Sequence, residues 1–225
     1  MISSPPITVL LAEDHAIMRQ GLVALLTADG HFAIVGGAKT GREAVAMAHA
    51  LKPDVILMDI AMPVLNGLQA TRQILAADPR AKVIILSAHS DDAYVDRMIE
   101  VGASGFLEKQ TSAEILAQAI LEVVAGKVYF SPSVAKRRDN LARGREGFPK
   151  GRRPDLTSRE CEVLQMVAEG SANKEVAAKL GISIKTVEKH RQHLMGKLAI
   201  HDTAGLTRYA IATGVIESSV QVTIV

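Results

Sequence analysis

The chain has 225 residues, which is enough for one large domain or for two smaller domains that each bury a core. Its formal net charge of +2 is unevenly spread, because residues 1–127 carry 10 Lys and Arg against 14 Asp and Glu, whereas residues 128–225 carry 16 against 10. The single cysteine, Cys161, excludes an intrachain disulfide framework. No basic N-terminal region precedes an apolar run, and no apolar run approaches roughly 18 residues, so we expect a cytoplasmic protein without a membrane anchor.

The first half of the chain alternates short apolar runs with amphipathic segments. The apolar runs have the length of buried strands and lie at residues 7–12, 32–37, 55–58, 83–86 and 104–107. Apolar residues recur at helical spacing between and after these runs, in residues 17–29, 41–51, 67–77, 91–101 and 111–125. Five β/α units in succession predict an α/β fold with a doubly wound parallel sheet and right-handed crossovers.

Residues that could hold a cation or an anion follow four of these strands. Glu13 and Asp14 follow the first strand, Asp59 the third, Ser87 the fourth and Lys109 the fifth. In a flavodoxin-like strand order the first and third strands are central neighbours, so the three carboxylates would converge. Like charges that meet need a proton or a cation, and carboxylate oxygens suit Mg²⁺. Lys109 and Ser87 would then bind an anion above Asp59.

The motifs LLAEDH, ILMDIAMPVLNG, ILSAH and GFLEK occur in the order and at the separations of a known domain. Over about residues 6–127 the chain resembles the receiver domain of bacterial two-component response regulators. This resemblance implies that Asp59 accepts a phosphoryl group from a histidine kinase and acts as the nucleophile. Positioning and neutralisation of charge would drive the transfer.

The same resemblance implies a role for each neighbour of Asp59. Mg²⁺ would be held by Asp14, Asp59 and the Ala61 backbone carbonyl, with Glu13 assisting. Lys109 would contact the phosphoryl oxygens, and Ser87 would bond to one of them on activation. Phe106 occupies the position of the family's aromatic switch, although simple packing explains it equally well. His15 and His89 adjoin the site and are expected to be solvated.

Residues 128–154 are predicted to form a basic linker. They contain Asp139, Glu146 and eight basic residues, which are Lys136, Arg137, Arg138, Arg143, Arg145, Lys150, Arg152 and Arg153. A segment of this composition buries too little surface to offset its ordering entropy, so a solvated tether is one interpretation. The other is that its charges add salt-dependent contacts with DNA phosphates.

The last part of the chain predicts a helical domain over residues 155–216. Thr157 and Glu160 form a capping box for a helix that begins at Ser158, and Asn173 is predicted to cap a second helix. Ser183 caps a third helix that runs to about residue 198, and a fourth spans residues 203–212. On the third helix one stripe is apolar, and a second, exposed stripe consists of Lys185, Glu188, Lys189 and Gln192.

The words LTSRECEVLQMVAEG, NKEVAAKLGIS and KTVEKHRQHLMGKL resemble the LuxR-type helix-turn-helix of NarL/FixJ regulators. The resemblance implies contacts with DNA from Lys185, Thr186, Lys189 and Gln192, and phosphate contacts from Asn173, Lys174 and Arg191. Glu188 is a departure, since some members carry lysine there and an acid next to phosphates is costly. The final helix, with Leu206, Tyr209 and Ala210, would pair two chains into a dimer on DNA.

The sequence therefore predicts a bacterial response regulator in which phosphorylation at Asp59 favours a dimer that binds DNA. No enzyme activity is expected beyond its own phosphorylation and dephosphorylation. One alternative is a phosphorylated adaptor that never touches DNA. Another is an Mg²⁺-dependent phosphatase, but Ala61 stands where such an enzyme would use an acid.

Overall fold

The computed structural model describes residues 5–88, 92–130, 134 and 156–216. The chain divides into two compact units, Met1–Gly151 and Arg152–Val225. The eight basic residues of the predicted linker lie outside the described residues, and so does His89. Within the described part of the chain, no helix has both the length and the apolar character needed to cross a membrane.

The first unit is built on a five-stranded parallel sheet. Its strands are β1 (Ile7–Ala12), β2 (Phe32–Ala38), β3 (Val55–Asp59), β4 (Val83–Ser87) and β5 (Gly105–Glu108). They lie side by side in the order β2-β1-β3-β4-β5. This order places β1 and β3 next to each other near the middle of the sheet and confirms the predicted doubly wound architecture.

Helices cover both faces of this sheet. They are α1 (Ala16–Asp29), α2 (Gly41–Leu51), α3 (Gly67–Ala77), α4 (Asp92–Val101) and α5 (Ala113–Val124). Because side chains alternate along a strand, Leu10 and Ile56 pack into the core formed with α2, α3 and α4. Their neighbours Leu11 and Leu57 pack into the core formed with α1 and α5. The central strands β3 and β4 are buried at every residue, which is why their sequences are nearly continuous apolar runs.

Side-chain caps fix where several of these helices begin. Thr40 caps α2, Asn66 caps α3 and Ser112 caps α5, each by accepting a backbone N–H of the first turn. The cap at Ser112 makes α5 begin two residues later than predicted. The fifth strand is also shifted by one residue, to Gly105–Glu108, where it pairs in parallel register with residues 84–87 of β4.

The second unit contains α6 (Ser158–Ala168), α7 (Asn173–Leu180), α8 (Ile184–Leu198) and α9 (Thr203–Ala212). The predicted capping box is present, since Thr157 accepts from the Glu160 N–H and Glu160 accepts from the Thr157 N–H. The helices pack around fully buried side chains, which are Val163, Leu164, Met166, Val176, Val187, Leu194, Leu206 and Ala210. This arrangement confirms the predicted helical domain.

Two expectations for the second unit are wrong. Asn173 is not a cap but the first residue of α7, and the cap residue is Ala172, whose N–H donates to the Glu175 carboxylate at 2.9 Å. Leu206 and Ala210 are fully buried within their own unit, so their side chains offer no surface for pairing with a second chain. Tyr209 is half-buried and Ile211 is 39% exposed, so pairing of two chains through α9 stays a prediction.

Candidate metal centre and exposed helix face

Three carboxylates meet at the carboxyl ends of β1 and β3. Ligand atoms of Glu13, Asp14, His15 and Asp59 all lie within 4.8 Å of one another. Adjacency of the two strands causes this convergence, because Ala12 pairs with Met58 and the acids follow directly. Glu13 and Asp59 are each only 1% exposed. The structure therefore brings together the three acids predicted from the sequence.

Lys109 lies between two of these acids. Its Nζ is 2.9 Å from Glu13 Oε2 and 2.9 Å from Asp59 Oδ2. The backbone holds the lysine in place, since its N–H donates to the Ser87 carbonyl at 2.8 Å and thereby ties the end of β5 to the end of β4. One ammonium group thus balances part of the charge of two buried carboxylates.

The electrostatics of the site favour a second cation. Burial raises the pKa of Asp59, and the negative charge of Glu13 raises it further. The contact with Lys109 acts to lower this pKa but does not outweigh the other two effects. Burial acts to lower the pKa of Lys109, but its contacts with Glu13 and Asp59 outweigh burial and the net pKa is raised. Removing charged carboxylates from water is costly, so the acids favour either a proton or a further positive charge.

The oxygen atoms of the cluster fit a divalent ion. Glu13 Oε2, Asp14 Oδ1 and Asp59 Oδ2 are buried, and each has a short polar contact with a side-chain nitrogen. Lys109 Nζ lies 2.9 Å from Glu13 Oε2 and 2.9 Å from Asp59 Oδ2, and His15 Nδ1 lies 2.8 Å from Asp14 Oδ1. Each contact occupies one of the two lone pairs of a carboxylate oxygen. Lone pairs therefore remain available, and a set of carboxylate oxygens is what Mg²⁺ prefers.

Three other residues predicted for this site are Ala61, Ser87 and Phe106. The Ala61 N–H donates to Asp59 Oδ1 at 3.3 Å, which places Ala61 in the loop beside the acid. Ser87 is the last residue of β4, is 1% exposed and pairs in register with Glu108. Phe106 is 6% exposed and packs in the core with α2, α3 and α4. Its role as a switch stays a prediction.

His15 makes a contact that the sequence reasoning missed. Its side chain is 70% exposed, yet Nδ1 lies 2.8 Å from Asp14 Oδ1 and 3.1 Å from Glu13 Oε1. The signal available in the sequence was its position, because it directly follows two acids and precedes a helix. Its ring is held over the acidic cluster while remaining open to solvent.

In the second unit, α8 presents the predicted polar stripe. Lys185, Glu188, Lys189 and Gln192 are all exposed along one side of the helix, and Thr186 is partly buried with its hydroxyl 2.8 Å from the Ser183 hydroxyl. α7 and α8 are joined through Gly181, which has a φ of 65° and ends α7 in the left-handed conformation. Two helices joined by such a turn form a helix-turn-helix, whose second helix is suited to the major groove.

Arg191 connects three helices, which sequence reasoning did not foresee. From α8 its Nη1 donates to Asn173 Oδ1 at 3.0 Å, and its Nη2 donates to Thr203 Oγ1 at 2.6 Å. These partners are the first residues of α7 and α9. Arg191 therefore helps to hold the helices in place, in addition to any contact with phosphates.

Comparison with known proteins agrees with both halves of this description. The family model for "Response regulator receiver domain" matches residues 9–121, and that for "Bacterial regulatory proteins, luxR family" matches residues 154–210. The chain is 34% identical to the transcriptional regulatory protein DegU of Brevibacillus brevis, over 95% of this chain and 96% of that protein. It is 35% identical to the response regulator protein VraR of Staphylococcus aureus, over 94% of this chain and 99% of that protein.

A solved structure is similar as well. The crystal structure of a LuxR-family two-component response regulator from Aurantimonas sp. SI85-9A1 superposes with a TM-score of 0.56 at 30% identity. The similarity covers 61% of this chain and 99% of that one. Of the two relatives, DegU is named a transcriptional regulatory protein and VraR a response regulator protein.

Proposed function

The chain belongs to the two-component response regulators that join a receiver domain to a LuxR-type DNA-binding domain, and from this premise we propose that phosphorylation of Asp59 by a histidine kinase controls its binding to DNA. The observation that carries the proposal is the convergence of Glu13, Asp14 and Asp59, with Lys109 Nζ at 2.9 Å from two of them. We propose that the receiver domain spans residues 6–127, the linker residues 128–154 and the DNA-binding domain residues 155–216. As a regulator of transcription, the protein would work in the cytoplasm.

In the proposed reaction, a carboxylate oxygen of Asp59 attacks the phosphorus of a phosphohistidine. A new P–O bond forms on Asp59, the P–N bond breaks, and the leaving imidazole takes up a proton. Lys109 is close enough to turn toward the incoming phosphoryl oxygens, and the Ala61 N–H orients the attacking carboxylate. Ser87, at the end of the neighbouring strand, would donate its hydroxyl to the phosphoryl group once it is attached.

Asp14 and Asp59, the Ala61 carbonyl and the supporting carboxylate of Glu13 would hold Mg²⁺. When bound, the ion would neutralise negative charge on the transferring group and on the acids. The convergence of these buried carboxylate oxygens within 4.8 Å of one another supports this assignment. A bound cation would lower the pKa that burial raises at Asp59, so the site would still present a carboxylate to the donor.

The DNA-binding half of the proposal is supported by the exposed stripe of α8. Lys185, Lys189 and Gln192 would reach into the major groove together with Thr186, whereas Asn173, Lys174 and Arg191 would lie near phosphates. Glu188 on the same stripe would have to accept from a cytosine amino group or point away from the DNA. The active form would be a homodimer on a two-fold site.

Binding of the full chain to promoter DNA tests the proposal when measured with and without beryllofluoride in the presence of Mg²⁺. We expect the phosphoryl mimic to tighten binding and increase the oligomeric size of the wild type, and to change neither property in Asp59→Ala. DNA binding that ignores the mimic would contradict control by phosphorylation. A protein that takes up phosphate but binds no promoter fragment would be an adaptor instead.

A further inference from the structure

We propose that Arg19 is a positioning residue for the metal centre, which fixes the backbone of Glu13 and Asp14 so that their carboxylates face Asp59. The inference rests on the proposed function, because it concerns the Mg²⁺ site. Arg19 Nη1 donates to the Glu13 carbonyl at 2.7 Å and is 3.3 Å from the Asp14 carbonyl. The guanidinium therefore holds the main chain of the residues whose side chains would bind the ion.

The position of Arg19 in α1 explains how it reaches this loop. It lies in the first turn of a helix that begins at Ala16, four residues after His15, and its N–H donates to the His15 carbonyl at 3.0 Å. Helical side chains lean toward the N-terminus of their helix, so a long side chain here extends back over the segment between β1 and α1. Arg19 is partly buried in this position.

The Glu13 main chain is bonded at both ends. Its N–H donates to the Ala38 carbonyl of β2 at 3.0 Å, while its carbonyl accepts from Arg19. On the side-chain end, Glu13 Oε1 accepts from the His15 N–H at 3.1 Å. Without Arg19 the strand would still hold the Glu13 N–H, but the Glu13 and Asp14 carbonyls would lose their link to α1 and the loop could rotate.

Charge and position predict opposite effects of removing Arg19. The guanidinium is a cation next to a cation site, so by charge alone its loss would tighten the binding of a divalent ion. If Arg19 acts by fixing the loop, its loss weakens binding, because supporting residues around metal ligands typically contribute about 10-fold to 100-fold in affinity. The sign of the change therefore separates the two roles.

The test is the dissociation constant of the full chain for Mn²⁺, followed by electron paramagnetic resonance of the free ion, and for Mg²⁺ by calorimetry. Arg19→Gln removes the charge, and Arg19→Lys keeps the charge but is one atom shorter than the arm that carries Nη1 to the two carbonyls. We expect both variants to bind either ion about tenfold more weakly. Arg80→Lys is the matched control, since Arg80 is 95% exposed in the loop before β4, and it should bind like the wild type.

A second readout separates positioning from general support of the fold. At saturating Mg²⁺, phosphorylation of Arg19→Lys by acetyl phosphate should return toward the wild-type maximum, with only the Mg²⁺ concentration for half-maximal rate increased. The proposal is overturned if Arg19→Gln binds the ions as tightly as the wild type or more tightly. It is also overturned if both variants lower the melting temperature in EDTA but leave the dissociation constants unchanged. If the wild type itself binds no ion, the proposed function fails rather than the role of Arg19 alone.

Discussion

Gly67 allows α3 to begin directly against the strand that carries Asp59. Its N–H donates to the Ile60 carbonyl at 2.9 Å. A Cβ added at Gly67 would lie 1.9 Å from the Asp59 carbonyl oxygen and 3.0 Å from Met58 Cγ, whereas real Cβ atoms essentially never come closer than 3.0 Å. The clash is with a backbone oxygen, which cannot rotate away as the end of a side chain could. Gly67→Ala must therefore move either the end of β3 or the start of α3 by about 1 Å before this contact reaches 3.0 Å.

The displacement should be seen both in the chemistry and in the stability. A shift of about 1 Å at a reacting group can reduce a rate about 100-fold. Overpacking of this kind also costs about 1–3 kcal/mol of stability. The rate is measured as phosphorylation of the full chain by acetyl phosphate at saturating Mg²⁺, followed by intact mass, with the melting temperature recorded beside it.

Gly21→Ala provides the matched control for this substitution. Gly21 is exposed within α1, and no atom lies within 4 Å of a Cβ added there. Alanine should stabilise this helix by about 1 kcal/mol and leave the phosphorylation rate unchanged. The reasoning is refuted if Gly67→Ala is phosphorylated as fast as Gly21→Ala and melts at the wild-type temperature.

Three further substitutions test other parts of the chain. Val64 has a φ of 71°, which is strained for a β-branched residue, so Val64→Gly should increase stability by about 1 kcal/mol; an unchanged or lower melting temperature would contradict this. Burial acts to raise the pKa of Glu160, but Lys197 Nζ at 2.7 Å and the capping contacts outweigh it and hold that pKa below its usual value. The ionised form therefore contributes stability above about pH 5 that is lost as the pH falls through the folded-state pKa. Glu160→Gln should cost about 1 kcal/mol at neutral pH and flatten the acid side of the unfolding profile, and an unaltered profile would count against the assignment. Lys189→Ala should reduce the slope of log affinity for DNA against log salt by about one, while Lys39→Ala, in the first unit, should leave the slope as it is.

The sequence was a good guide wherever one local rule decides the structure. Each strand is a short apolar run that is followed by or ends at a polar residue, so Asp59 and Ser87 can be placed at strand ends from the sequence alone. Thr157 and Ser183 were identified as caps because their acceptors lie three residues from the N–H groups that they bind. These predictions needed no knowledge of distant parts of the chain.

Asn173 shows where local rules fail. Its side chain could cap a helix or bond elsewhere, and the choice depends on Arg191, eighteen residues away, which donates to Asn173 Oδ1. Glu175 then accepts the Ala172 N–H and stabilises the start of the helix in its place. No pattern within one turn of Asn173 contains this information, because the competing partner lies on another helix.

Residues that react and residues that position them therefore differ in how they can be recognised. Asp59 and Lys109 are constrained by chemistry, since few side chains can accept or contact a phosphoryl group, and their type and place in the sequence suffice to find them. Arg19 and Gly67 act through carbonyl oxygens, which every residue has, so their roles are recognised only from distances. Arg19 Nη1 lies 2.7 Å from the Glu13 carbonyl oxygen, and a Cβ added at Gly67 would lie 1.9 Å from the Asp59 carbonyl oxygen. It follows that substitutions at Arg19 should change the metal affinity and that Gly67→Ala should change the phosphorylation rate, while every side chain proposed to touch the ion or the phosphoryl group stays in place.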